Sequence, residues 1–196
     1  GGVVAFVLAW RSARPTLRSV FRESLPILII AGTINLGTGV TIEQRLEEFL
    51  VLPALLVLVP PFLEDTGALG GVLSSRLSSK LHLGVIEPTA RPQRAARLDF
   101  LLIFVLAVPV FALLAISADV VAWVFGLASP GALRMIGIAL LGGLMATFAA
   151  TVIAYYGAVA AFRLGLDPDN HGIPLLTSSL DFIGALSLIA AISLLA

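Results

Sequence analysis

The sequence predicts an all-α integral membrane protein with five transmembrane helices, and three observations carry that prediction. Of 196 residues, 59% are hydrophobic and only 12% are charged, with a mean hydropathy of +1.06. A soluble domain carries about a quarter charged residues. The apolar residues also come in five long blocks, each near the roughly 20 residues that a helix needs to cross a bilayer core of about 30 Å. The connections between the blocks are short, with no room for a soluble domain among them. Twelve Lys plus Arg balance twelve Asp plus Glu, which excludes nucleic acid or another polyanion as the expected partner. With no cysteine there is no disulfide, thiolate metal site or thiol nucleophile.

Taken in order, residues 1–23 form an N-terminal segment and residues 24–196 the five-span domain. Gly1 to Trp10 is apolar but too short to span. It reads either as the tail of a preceding transmembrane helix or as an interfacial anchor. The first span covers about Ser24 to Ile42. The second runs from about Phe49, through Pro60-Pro61 and Glu64-Asp65, to about Lys80. The third covers about Leu98 to Ile116, the fourth Ala132 to Phe162, and the fifth Gly172 to Ala196. Glu43 to Glu48, Glu87 to Arg97, Ala118 to Gly131 and Gly165 to His171 are the expected loops.

Lys and Arg gather on the cytoplasmic side of a membrane protein. Arg11, Arg14, Arg18 and Arg22 precede the first span. Arg76, Lys80, Arg91, Arg94 and Arg97 surround the connection between the second and third, and Arg163 ends the fourth. Only Arg45 and Arg134 fall on the other side. The expected location is the cell membrane, multi-pass, with the N-terminus cytoplasmic and the C-terminus extracellular.

An ionisable side chain inside a span is costly unless it faces protein or water, so each one is a candidate site residue. Glu64 and Asp65 lie in the second span and Asp181 in the middle of the fifth. Both helices place Pro or Gly near their acids: Pro60, Pro61, Gly67, Gly70 and Gly71 in one, Gly172 and Pro174 in the other. Interrupted helices free backbone carbonyls, and carbonyls with carboxylates suit a hard cation. On the fifth helix, Pro174, Thr177, Ser178, Asp181, Gly184 and Ala185 form a polar and small stripe at helical spacing, while Leu180 points elsewhere. Glu64, Gly67, Ala68, Gly71, Ser75 and Ser78 form a similar stripe on the second. Such stripes equally serve close helix packing. Packing is the expected role of Gly143, Thr147, Ala150, Ala154 and Gly157 in the fourth helix. Asp167, Asp169, Asn170 and His171 precede the fifth span, where they cap its N-terminus or form an acidic vestibule for cations. His82 and His171 lie at helix ends, in interfacial or capping positions.

These residues resemble the MgtE and SLC41 magnesium transporters. Gly165-Leu166-Asp167-Pro168, then Gly172, Pro174, Thr177 and Asp181, resembles the MgtE pattern G-L-D-P-x4-G-P-x-x-T-T-x-x-D. Leu166 to Asn170 is closer to the SLC41 branch, as are Leu73 to Ser78, similar to L-A-S-R-L-S, and Pro53-Ala54-Leu55-Leu56, similar to P-A-L-L. Where MgtE proteins have G-N-T-G-N-Q, this chain has Glu64-Asp65-Thr66-Gly67-Ala68-Leu69, so amides are lost and two acids appear. The resemblance covers about Arg22 to Ala196. It implies two five-helix bundles facing each other, as a homodimer or as a pseudo-dimer with a homologous half. It implies a pore lined by helices two and five, including Thr66, Gly67, Gly71, Pro174, Thr177, Ser178 and Gly184. Asp181 then binds hydrated magnesium; Glu64 and Asp65, which the family pattern lacks, are expected as further metal-binding acids near one mouth of the path, because two adjacent acids within a span must meet water or metal. Mg2+ is usually held by one or two carboxylates plus retained waters, which suits two copies of Asp181 across a two-fold axis. Selectivity among Mg, Mn, Co, Zn and Ca stays open.

Two other classes compete. Asp65-Thr66-Gly67 matches the D-T-G of aspartic proteases, with Asp181 as the partner carboxylate. A proton-coupled carrier of small organic solutes would use the same acids as a relay.

Overall fold

The computed structural model of the chain describes residues 15–165 and 173–195. These hold six helices and no strand: α1 (Pro15–Glu43), α2 (Leu46–Val51), α3 (Pro53–His82), α4 (Arg94–Val124), α5 (Ala132–Leu164) and α6 (Ile173–Leu195). Ser24–Glu43 of α1 and the whole of α3, α4, α5 and α6 are long and apolar enough to cross a membrane. Gly1 to Trp10 lies outside the described residues, as do Asp167, Asp169, Asn170, His171 and Gly172.

The helix boundaries correct the sequence reading in several places, among them the third span, which begins at Arg94 within the loop expected over Glu87 to Arg97. The loop expected over Glu43 to Glu48 shrinks to a turn at Gln44 and Arg45, because Leu46–Val51 is helical and buries Phe49. The second span starts at Pro53 rather than Phe49. Leu52 leaves the helical region (φ −129°, ψ 78°), the conformation favoured before a proline, and Pro53 starts α3, where its missing N–H costs nothing. The loop expected from Ala118 is helical to Val124, because Ala118 and Ala122 extend the buried stripe of Ala107, Phe111 and Ala115. Finally, neither proline site breaks a helix. α3 is continuous through Pro60-Pro61, whose missing N–H groups leave the Leu56 and Val57 carbonyls without intrahelical donors. Pro174 sits in the first turn of α6, where an N–H would lack a partner anyway.

α3, α5 and α6 pack on one another at the centre, α4 covers α3 and α5, and α1 lies mainly on α6. Half of the α6 span is buried but only 11% of the α1 span, so α6 is central and α1 peripheral. In lipid the apolar effect does not drive helices together, so close van der Waals packing must. α5 shows how. A Cβ added at Gly143 would lie 2.2 Å from the ring of Phe111, which stacks on Phe62 at 4.9 Å. Only a bare Cα admits that ring. Thr147 and Thr151 are buried on the same helix, and their hydroxyls donate to Gly143 O (2.7 Å) and Thr147 O (2.8 Å), so no polar group is stranded.

The end of the bundle that carries Arg76, Lys80 and Arg163 is tied together by charge and hydrogen bonds. Asp99 of α4 is 2% exposed and accepts from Arg76 Nη2 at 2.8 Å, Arg76 Nε at 3.0 Å and Lys80 Nζ at 2.6 Å. The loop between α3 and α4 is pinned by α5. Tyr155 Oη donates to Thr89 O (2.9 Å), Tyr156 Oη to Ala90 O (3.2 Å), and Arg163 to Pro88 O. Gly165 then ends α5 in the left-handed conformation (φ 63°) that glycine adopts without strain. His82 closes α3, its Nδ1 2.8 Å from Ser78 O and its ring edge-on to Phe162.

Candidate functional site

A cavity of about 640 Å³ opens between α1, α3 and α6. Its wall follows from helical spacing. On α3, Pro60, Glu64, Gly67, Ala68 and Gly71 recur every three or four residues and share a face, with Leu63 beside them. α6 contributes Thr177 and Asp181, one turn apart, and α1 contributes Asn35 and Thr38. The two helices approach closely at the acid of α6: a Cβ on Gly67 would sit 3.8 Å from Asp181 Oδ1. The glycine therefore keeps the carboxylate beside the α3 backbone without filling the space in front of it.

The polar chemistry of this wall is one-sided. Thr177 Oγ1 donates to Ile173 O (3.0 Å) and Pro174 O (3.2 Å), and Thr38 Oγ1 donates to Ile34 O (3.2 Å). A hydroxyl has one hydrogen to give, so both threonines meet the cavity with lone pairs only. Ionised Glu64 and Asp181 are acceptors by nature. Apart from the Asn35 amide, the described polar side chains on the wall present acceptors. Glu64 is exposed into this space, whereas Asp181 is half-buried.

The structure thus brings together Glu64, Gly67, Gly71, Thr177 and Asp181 from the residues singled out in the sequence. Others on the same helices sit elsewhere. Asp65 is half-buried and off this wall, one residue and about 100° around the helix from Glu64. Thr66 is buried and donates to Phe62 O at 2.8 Å. Gly184 faces Leu63 and Thr66, where an added Cβ would lie 3.1 Å from Leu63 Cδ2. Ser178 is buried, and Pro174 enters only through its carbonyl. Among the described residues no group of three or more His, Cys, Asp or Glu could hold a metal ion by itself.

Three features escaped the sequence reading. Asn35 and Thr38 bring α1 to the cavity, and the available signal was an amide in the middle of an apolar span. Asp99 was passed over as part of the start of the third span, although an acid beside Leu98 in such a run calls for a partner. Arg76 and Lys80, one turn apart on α3, are that partner; in the sequence they counted only toward orientation.

Five apolar spans, three of which enclose a cavity whose polar side chains are mostly acceptors, suit a membrane protein that handles cations. A family model described as MgtE, divalent cation transporter, matches residues 59–191, from near the start of α3 to near the end of α6. Because that match covers more than half of the chain, this multi-pass membrane protein belongs to the MgtE family of divalent cation transporters.

Proposed function

We propose that the cavity between α1, α3 and α6 is the path of a hydrated divalent cation, with magnesium as the principal cargo, and that Asp181 and Glu64 attract it. The observation that carries this reading is the acceptor wall. In a hydrated cation the water oxygens face the metal and the hydrogens face outward, so the shell is bound best by carboxylates and hydroxyl lone pairs. Six waters occupy about 180 Å³ at liquid density, and a cavity of about 640 Å³ holds them with room to move. Two carboxylates balance the charge of one divalent ion, and magnesium keeps most of its waters when so few protein oxygens are offered.

Asp181 is the central site, with Thr177 orienting its waters. Glu64 lies along the same path, and Asp65 serves as an accessory acid outside this wall. Asp167, Asp169 and Asn170 form the vestibule. Two such bundles assemble, as a homodimer or with a homologous half, so that the largely unburied α1 span and the open side of the cavity meet protein or lipid rather than water. The end bearing Arg76, Lys80 and Arg163 is cytoplasmic, which places the C-terminus of α6 outside. The runs Leu73 to Ser78 and Leu166 to Asn170 support the SLC41 branch. Asp65 does not line the cavity that Asp181 lines, which favours transport over a shared-proton carboxylate pair of the protease kind.

The test is divalent-ion uptake into liposomes with metals in competition. Asp181→Asn keeps shape and removes charge, so uptake should fall by at least tenfold while the melting temperature stays near that of the wild type. Glu64→Gln should raise the half-saturating concentration without abolishing uptake. Normal magnesium uptake by Asp181→Asn would overturn the assignment.

A further inference from the structure

Asn35 is the one amide on the cavity wall, and the membrane makes its position costly unless it has a task. It lies near the middle of the Ser24–Glu43 span. The three threonines of the same span solve the problem internally, since Thr33, Thr38 and Thr41 donate to the carbonyls of Ile29, Ile34 and Gly37. Asn35 makes no hydrogen bond with any described residue, and it is exposed in the cavity that Glu64 and Asp181 also line. A carboxamide carries two donors and an acceptor, and leaving them unmet in hydrocarbon is disfavoured. Thr38, three residues on, is buried between α1 and the bundle and fixes which side of α1 faces inward. Gly37 adds to this, since a Cβ there would lie 3.8 Å from the ring of Phe182. With α1 held in that rotation, Asn35 faces the cavity.

We infer that Asn35 is a specificity-determining residue of the cation path: its carbonyl oxygen accepts from the water shell of the ion held by Glu64 and Asp181, as a neutral outer-sphere acceptor supplied by α1. The inference rests on the reading of the cavity as a cation path and adds a third helix to it. An outer-sphere acceptor favours an ion that keeps its waters, as magnesium does, and the amide contributes binding without a third negative charge that would hold the ion too long. The NH2 group, the only donor on the wall, turns to pore water or to a carboxylate.

The chain contains no cysteine, so Asn35→Cys introduces a unique thiol. In the full protein in liposomes, a charged, membrane-impermeant thiol reagent applied from the side on which the cavity opens should label position 35. Millimolar Mg2+ should slow that labelling about tenfold. In uptake assays Asn35→Leu should raise the half-saturating Mg2+ concentration about tenfold, the loss of one hydrogen bond to a charged group. Asn35→Asp should lower it. Melting temperatures of both variants are measured alongside, and Asn35→Ala replaces Asn35→Leu if the latter does not fold.

Labelling from neither side of the membrane, labelling indifferent to Mg2+, or wild-type saturation in both Asn35→Leu and Asn35→Ala would each overturn the inference. Asp181→Asn in the same liposomes separates the two claims. If it abolishes uptake while the Asn35 variants behave as wild type, the cation path stands and Asn35 has no part in it. If Asp181→Asn transports normally, the path itself is misassigned.

Discussion

Asp99→Asn tests what holds α3, and with it Glu64, against the rest of the bundle. The carboxylate is 2% exposed and receives Arg76 through two nitrogens and Lys80 through one, at 2.6 to 3.0 Å. Removing one member of a buried ion pair costs about 3–5 kcal/mol when the stranded charge must stay buried. Here the partners have an escape. The Arg76 side chain is 45% exposed and that of Lys80 25%, and both are long enough to swing their charges toward the interface. The asparagine oxygen, set where Oδ1 stands, also keeps both Arg76 bonds and loses only that of Lys80. We therefore expect a loss of about 2–3 kcal/mol, equivalent to a fall of about 5–10 °C in Tm for a chain of this size. Thermal unfolding of the purified protein in detergent micelles measures it directly. Replacing all three residues together, with Asp99→Leu, Arg76→Met and Lys80→Met, should restore most of the loss, because an apolar substitute for a complete ion cluster is close to neutral. A change below about 0.5 kcal/mol in Asp99→Asn would show that the cluster does not hold α3 on α4. The reasoning from burial would then be wrong.

The remaining predictions concern packing and the pinned loop. Gly143→Ala drives a methyl into the Phe111 ring at 2.2 Å, and because Phe111 is fully buried against Phe62 the ring has little freedom to retreat. We expect a loss of about 2–3 kcal/mol, whereas Gly71→Ala, with nothing within 4 Å of the added methyl, should stay within about 0.5 kcal/mol of the wild type in the same melts. Tyr155→Phe removes the donor to Thr89 O and should cost about 1 kcal/mol. Hydrogen exchange should quicken first in the loop between α3 and α4, and equal acceleration across α5 and α6 would contradict that placement.

The five spans were legible because length and composition decide them locally: a helix satisfies its own backbone, and in hydrocarbon nothing else can. The acids were legible for the same reason, since Glu64, Asp65 and Asp181 stand out against apolar neighbours. Helix ends were less legible. Ala118 and Ala122 continue α4 because they meet other helices, and no local pattern announces that contact. Pro60-Pro61 read as a break, yet the helix runs through them, because neighbouring helices hold a segment that two missing bonds would weaken in isolation. The stripes were half legible. Helical spacing put Thr177, Ser178, Asp181 and Gly184 together, but a stripe is broader than a cavity wall, and the approach of α3 separates Thr177 and Asp181 from the buried Ser178 and Gly184.

By itself, then, the sequence determined the class of solvent, the number of crossings and which charges lie within them, because each of these follows from transfer of single residues or short runs into lipid. Only the tertiary structure decided partners. Asp99 lies 23 residues from Arg76 in the chain and at hydrogen-bond distance in space, and Asn35 shares a cavity with Asp181 across three helices. Those pairings depend on the rotation of each helix about its own axis, which close packing sets residue by residue at contacts such as Gly143 with Phe111 and Gly70 with Leu180. Hydropathy carries little information about that angle, so the number of crossings came from the sequence and the geometry of the cavity from the packed bundle.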